Sequence, residues 1–176
     1  MDTALALLAQ GVEACVESRV WALSGTALVD ALDTVHQAKQ RLAAVELALV
    51  RQVDAVGIAT ASGASSTGAW LADRFRLSRP AAQGLIAQAT AIDAAPQPLR
   101  AALAAGAVSV EQAKVIADAV AALPASLGPQ IVTQAATSLI GSAAQFDPIT
   151  LRPALDRLDA HLPGRQAIRK LLPLQY

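Results

Sequence analysis

The sequence is poor in the residues that form disulfide frameworks, metal sites and aromatic clusters. Cys15 is its only cysteine, asparagine is absent, and aromatic residues make up 3% of the 176 positions. A single cysteine excludes an internal disulfide and a cysteine-based metal site. We expect Cys15, which lies on an apolar helix face, to be a small core residue.

Membrane-spanning and secretory segments are also missing from the sequence pattern. No uncharged apolar run approaches the roughly 20 residues that cross a bilayer. The short apolar run at residues 4–9 follows Met1 and Asp2, without the basic residues that begin a secretory signal. The sequence therefore predicts a cytoplasmic protein that has no membrane partner.

Charge is scarce and balanced, whereas apolar residues are abundant. Fourteen Lys and Arg residues match fourteen Asp and Glu residues, and 54% of the chain is hydrophobic. A neutral chain lacks the basic footprint of a strong general nucleic-acid binder. Because the apolar residues are mostly Ala, Leu, Val and Ile in helical spacing, and no strand pattern occurs, we predict an all-α, single-domain helical bundle.

We predict seven or eight helices in a domain of residues 1–164, followed by a short basic tail at residues 165–176. The first helix covers residues 3–21, and a small-residue loop covers residues 59–66. Later helices cover residues 129–144 and the segment from about residue 147 to 162. Trp21 and Trp70 are expected to anchor the core because large aromatic side chains dominate buried area.

A long spine helix is predicted over residues 26–56. Four apolar residues recur on it at intervals of seven, and we call this set the α2 seam: Leu28, Val35, Leu42 and Leu49. The simpler interpretation places the α2 seam in the domain core. The alternative interpretation is a dimer seam, because a sustained heptad repeat is typical of paired helices.

Residues 66–92 have the pattern of a helix, a tight turn and a second helix. Leu71 and Phe75 lie four residues apart, Leu77 is predicted to be a buried turn residue, and Ser78 can cap the second helix. The second helix then carries an apolar stripe of Ala82, Leu85, Ile86 and Ala89. This is the pattern of a helix-turn-helix, which often reads DNA.

Positive and amide side chains surround this turn. Arg74, Arg76 and Arg79 bracket it, and Gln83 lies one turn into the second helix. Arg and Gln make bidentate contacts to guanine and adenine, so one hypothesis is DNA contact through these four residues. The alternative is a solvated loop face that Asp73 partly neutralises.

A second unit of the same kind follows. Gly106 ends a short helix, and Ser109 with Gln112 forms the spacing of a capping box before another helix. The sequence therefore predicts one or two helix-turn-helix-like units.

No constellation of catalytic or metal-binding residues is found. His36 has Gln40, rather than a second histidine, four residues later, and His161 lies near the end of another predicted helix. Serines 62, 65 and 66 have no base or acid partner in a recognisable motif. We predict no metal site and no cofactor.

The order of these segments is similar to the N-terminal domain of the actinobacterial 13E12 repeat proteins, domain of unknown function 222. The resemblance rests on residues 66–73 (STGAWLAD), 76–78 (RLS), 103–113 (LAAGAVSVEQA) and 146–148 (FDP), within a span of about 28–162. In that family an HNH nuclease module commonly follows this domain. The resemblance therefore implies a helical module associated with DNA or with a nuclease.

The HNH residues themselves are missing from this sequence. Such a nuclease uses histidines on a metal and an asparagine that orients one of them, and this chain has no asparagine. We expect no enzymatic activity, and DNA, a second copy or a separate nuclease as the partner. The alternative is a protein-interaction or dimerisation module in which the helix-turn-helix is purely structural.

Overall fold

The computed structural model describes residues 1–124 and 126–143, and all regular structure in these residues is helical. Eight α-helices and one 3-10 turn are present in this part of the chain, and no strand is. The prediction of an all-α fold is confirmed. The predicted helix after residue 147 and the tail at residues 165–176 lie outside the described residues.

The helices follow one another with short connections. In chain order they are α1 (Asp2–Val16), α2 (Gly25–Val56), α3 (Ile58–Ala61), α4 (Thr67–Phe75), α5 (Arg79–Ala94), α6 (Gln97–Ala105), α7 (Val110–Ala121) and α8 (Pro129–Ala143), with a 3-10 turn at Val20–Ala22. The long helix begins and ends within one residue of its predicted bounds. Two predictions were wrong: the first helix ends at Val16 and not at residue 21, and α3 overlaps the predicted loop at residues 59–66.

The chain forms two compact units, and the first, Met1–His36, has no core. It contains α1, the 3-10 turn and the start of α2, and none of its residues is buried. Trp21 is 82% exposed, so its prediction as a core anchor is wrong. Cys15 is exposed as well, which corrects its prediction as a core residue. Both errors have one physical reason: the first unit buries no side chain for them to pack beside.

The hydrophobic core lies in the second unit, which begins at Gln37. Its largest fully buried side chains are Leu71, Val108, Leu99, Leu103 and Ile116. Buried alanines on α5, α7 and α8 lie among them, and an alanine at a contact lets two helices approach closely. This one core belongs to the second unit, and the described helices form an all-α, single-domain fold, as predicted.

Serine side chains begin three of the helices, and the predicted caps at Ser78 and Ser109 are confirmed. The Oγ atoms of Ser66 and Ser78 accept hydrogen bonds from the backbone N–H groups of Ala69 and Ala81, at 3.1 and 3.3 Å. Ser109 and Gln112 form a complete capping box at the start of α7. Each cap satisfies an N–H group that has no partner inside its own helix.

Helix α2 contacts the core with the side opposite to the α2 seam. Its buried residues are Gln40, Leu47 and Val50. Leu42 and Leu49 are 40% and 45% exposed, and both lie roughly 150° around the helix from Leu47. Leu28 and Val35, in the first unit, are 40% and 57% exposed. The interpretation of the α2 seam as core is therefore wrong, because the other side of the helix supplies the buried residues.

Polar contacts hold α2 against the turn between α6 and α7. The buried Gln40 accepts a hydrogen bond through Oε1 from the backbone N–H of Val110 at 3.1 Å. Gln37 donates through Nε2 to the carbonyl oxygen of Ala105 at 3.5 Å. Gly106 ends α6 with a left-handed φ of 72°, and the side chains of Gln37 and Arg41 approach it closely.

We predict that Gly106→Ala lowers the free energy of unfolding by about 1–2 kcal/mol, because a side chain is unfavourable at positive φ. The added Cβ would also lie 2.8 Å from Cγ and 3.1 Å from the backbone oxygen of Gln37. The matched control is Gly84→Ala in α5, where no atom lies within 4 Å of the new Cβ. Gly84→Ala should raise stability by about 0.5–1 kcal/mol. Urea unfolding measures both, and equal effects would contradict the described packing at Gly106.

Candidate nucleic-acid interface

Helices α4 and α5 are joined by three residues, as predicted. Arg76 ends α4 in the left-handed conformation, with φ of 56°, and Leu77 and Ser78 lead into α5. The backbone N–H of Leu77 donates to the carbonyl oxygen of Ala72 at 3.0 Å, which closes the end of α4. Phe75 and Leu77 are 52% and 36% exposed. The prediction that Leu77 is buried is wrong, because the chain reverses at Arg76 and leaves Leu77 in the turn.

The two helices approach most closely where a glycine of α4 faces a glutamine of α5. A Cβ atom added at Gly68 would lie 2.3 Å from Nε2 of Gln83. The Gln83 amide therefore rests against the first turn of α4, although the residue as a whole is exposed. Packing on Gly68 limits how freely this amide can turn toward a ligand.

The three arginines around the turn are all exposed. Within residues 1–124 and 126–143, no carboxylate forms an ion pair with Arg74, Arg76 or Arg79. The guanidinium of Arg74 lies 5.1 Å from the ring centroid of Trp70, a distance typical of a cation–π contact. Trp70 is partly buried and packs against the core, as predicted. Arg74 is thus held in place without losing its charge to a neighbour.

A chain of polar contacts connects α4 and α5 to α2. Thr67, buried at the start of α4, donates through Oγ1 to Oδ1 of Asp54 at 2.6 Å. The other oxygen of Asp54 lies 3.5 Å from Nη1 of Arg51, and Nε of Arg51 donates to Asp93 of α5 at 3.0 Å. The sequence indicates the Arg51 and Asp54 pair on one helix. It does not indicate Thr67 and Asp93, which lie 13 and 42 residues away from their partners.

A cleft of about 400 Å³ lies beside the pair of Arg51 and Asp93, between α2, α5 and α6. Its apolar lining includes Leu47, Ile92 and Leu103, which are all buried. The polar groups of this lining are Arg51, Asp93, Gln52 and Arg100. These side chains offer hydrogen-bond donors and one carboxylate, without a hydroxyl, thiol or imidazole among the described lining residues.

Metal ligands do not converge in the described part of the chain. Residues 1–124 and 126–143 contain no group of three or more His, Cys, Asp and Glu side chains that could hold a metal ion. His36 is exposed on α2, and His161 lies outside the described residues. In the same residues, no helix combines the length and the apolar character that crossing a bilayer requires.

We predict that Thr67→Val lowers the free energy of unfolding by about 1–2 kcal/mol, because it removes a buried donor and leaves Asp54 without that bond. The matched control is Thr90→Val, at an exposed position of α5. The control should change stability by less than about 0.5 kcal/mol. Chemical unfolding of the two variants beside the parent makes the comparison, and an unaffected Thr67→Val protein would show that the bond contributes nothing.

One comparison with known proteins gives a match. The family model described as "Domain of unknown function (DUF222)" matches residues 29–166, which are most of the chain. The match omits α1 and begins near the start of α2. Neither the curated proteins nor the solved structures contain a match.

Proposed function

The chain belongs to the DUF222 family, a domain of unknown function, and we propose that it is a non-catalytic helical module that contacts DNA through α4 and α5. In this proposal the α4–α5 pair is a helix-turn-helix. The module positions DNA, or a separate nuclease on DNA, and does not cut it. The resemblance to the N-terminal part of HNH-type proteins supports this role.

The observation that carries the proposal is the unpaired positive charge at the turn. Arg74, Arg76 and Arg79 are exposed and without an ion-pair partner among the described residues. A guanidinium group donates two parallel hydrogen bonds to phosphate, which makes arginine well suited to a DNA backbone. Arg79 is also the first residue of α5, where the helix dipole favours a negative group.

The mode of contact should be mainly electrostatic. The Gln83 amide rests against Gly68, so base contacts from α5 are expected to contribute less than phosphate contacts. Phosphate contacts position a protein on DNA without reading its sequence. With a neutral chain and three arginines, we expect weak, salt-dependent binding with little sequence preference.

Fluorescence anisotropy of a labelled duplex tests the proposal. Three phosphate contacts predict that log Kobs falls against log[salt] with a slope of about −3. The variant Arg74→Ala/Arg76→Ala/Arg79→Ala should lose this salt-dependent binding. Because the three side chains are exposed, the variant should keep its fold, which circular dichroism checks.

The control for net charge removes three exposed cations from other places: Arg19→Ala/Lys39→Ala/Arg100→Ala. It has the same charge as the turn variant and should keep most of the binding. Equal loss in both variants would show that total charge, rather than the α4–α5 turn, causes binding. No binding by the parent protein at low salt would contradict the proposal.

A second candidate function is a protein-interaction module, and the distribution of exposed apolar side chains favours it. Thirteen of the twenty large hydrophobic side chains that are exposed among the described residues lie in Met1–His36. Leu7, Val16 and Trp21 are between 64% and 82% exposed. Exposed apolar surface of this kind is typical of an interface.

A further inference from the structure

Helix α2 carries two apolar faces, and only one of them packs against other residues in the part of the chain that the structure describes. In heptad notation, the residues of the α2 seam are at position a. The buried Gln40 and Leu47 are then at position f, and the buried Val50 is at position b. These positions lie opposite to a and d. Val45, at position d, is 44% exposed, and the neighbouring Leu42 and Leu49 of the α2 seam are exposed as well. A face with this repeat is left over after the core has formed.

We propose that the α2 seam is the interface between two copies of this chain, paired as a parallel two-stranded coiled coil. The partner of the proposed protein-interaction module is then a second copy of the chain, and the pairing does not require DNA binding. The apolar residues at position a extend through four heptads within one helix, from Leu28 to Val56. Position d holds Ala31, Ala38 and Val45, and Gln52 interrupts it. A helix with a heptad repeat is complementary to another helix with the same period, and a second copy supplies one.

Charges beside the α2 seam select a second copy in parallel orientation. Arg41 lies at position g and Glu46 at position e of the next heptad, five residues later. In a parallel coiled coil, position g of one helix faces position e of the partner five residues further on. Arg41 of each copy would therefore face Glu46 of the other. Neither residue forms an ion pair among the described residues, although the stem of the exposed Arg41 lies beside Gly106.

Sedimentation equilibrium without DNA is the first test. The parent protein should have twice the 18.0 kDa mass of one chain at micromolar concentration. Leu42→Glu/Leu49→Glu should weaken association by about a hundredfold or more, because it places charges at two a positions. These residues are exposed in the single chain, so the monomeric variant should keep the helical content of the control at 20 °C, about room temperature, in circular dichroism.

The control adds two glutamates elsewhere, as Thr90→Glu/Gln130→Glu, at exposed positions of α5 and α8. It should remain a dimer. A monomeric parent protein would overturn the proposal. So would a Leu42→Glu/Leu49→Glu variant that has lost most of its helical content as a monomer, since another segment of the same chain would then be covering the α2 seam.

A charge exchange tests the orientation and the partner. Arg41→Glu should weaken association by about tenfold, because it places two glutamates opposite each other on each side. Arg41→Glu/Glu46→Arg should restore most of the affinity, since both cross pairs are rebuilt with reversed sign. A double variant as weak as the single one would overturn the parallel arrangement.

Cross-linking gives an independent result on orientation. Cys15→Ser produces a cysteine-free background, and Leu42→Cys is then the only thiol. In a parallel, in-register dimer each a position faces its own copy, so mild oxidation should give a disulfide-linked dimer. Glu111→Cys, exposed on α7, should not cross-link in the same background. Equal cross-linking of the two variants would overturn the proposal.

The results of the sedimentation and cross-linking experiments are independent of the result of the DNA-binding experiment. Sedimentation and cross-linking succeed or fail without DNA, whereas the arginine variant leaves the α2 seam unchanged. If both proposals hold, the dimer presents six arginines, and the salt slope should be between −5 and −6, roughly twice that of one chain.

Discussion

One side of α2 contacts three different parts of the second unit. Three of its residues are seven positions apart, and each contacts a different part of the fold: Gln40 the start of α7, Leu47 the core, and Asp54 the start of α4. Two of these three contacts are polar. Gln40 is buried, and a buried amide is stable only with its partner in place, so its bond to Val110 restricts where the start of α7 can lie. Asp54 is partly exposed, and its bond to the buried Thr67 positions the start of α4.

The candidate interface depends on the same side of α2. Asp54 fixes the first turn of α4 through Thr67, while Arg51 connects Asp54 to Asp93 on α5. The α4–α5 pair is thereby held at both helices, and its turn is left outside with Arg76 in the left-handed conformation. The positive charge at the turn is local, since the chain as a whole has no net charge.

Local features of the fold can be predicted from the sequence, whereas the choice between two faces of one helix cannot. The caps at Ser78 and Ser109 depend on residues three positions apart, and both are confirmed. The long helix is confirmed as well, because helical spacing is also a relation between residues that are close in the sequence. Its inner face is marked by Gln40, a polar residue, and the more regular apolar repeat through Leu42 lies outside. Helical periodicity shows that a face is apolar without showing what covers it.

We propose that α2 has one face inside the fold and one face between molecules. Two adjacent residues test it in the Cys15→Ser background: Leu49→Cys in the α2 seam and Val50→Cys, whose parent side chain is 5% exposed. The rate of thiol labelling is measured from dilute to concentrated protein. We predict that the thiol at position 49 reacts fast when dilute and slows with concentration, while the thiol at position 50 stays slow. Equal rates at both positions, or a fast rate at position 49 that does not change with concentration, would contradict the proposed division of α2 into a core face and a dimer face.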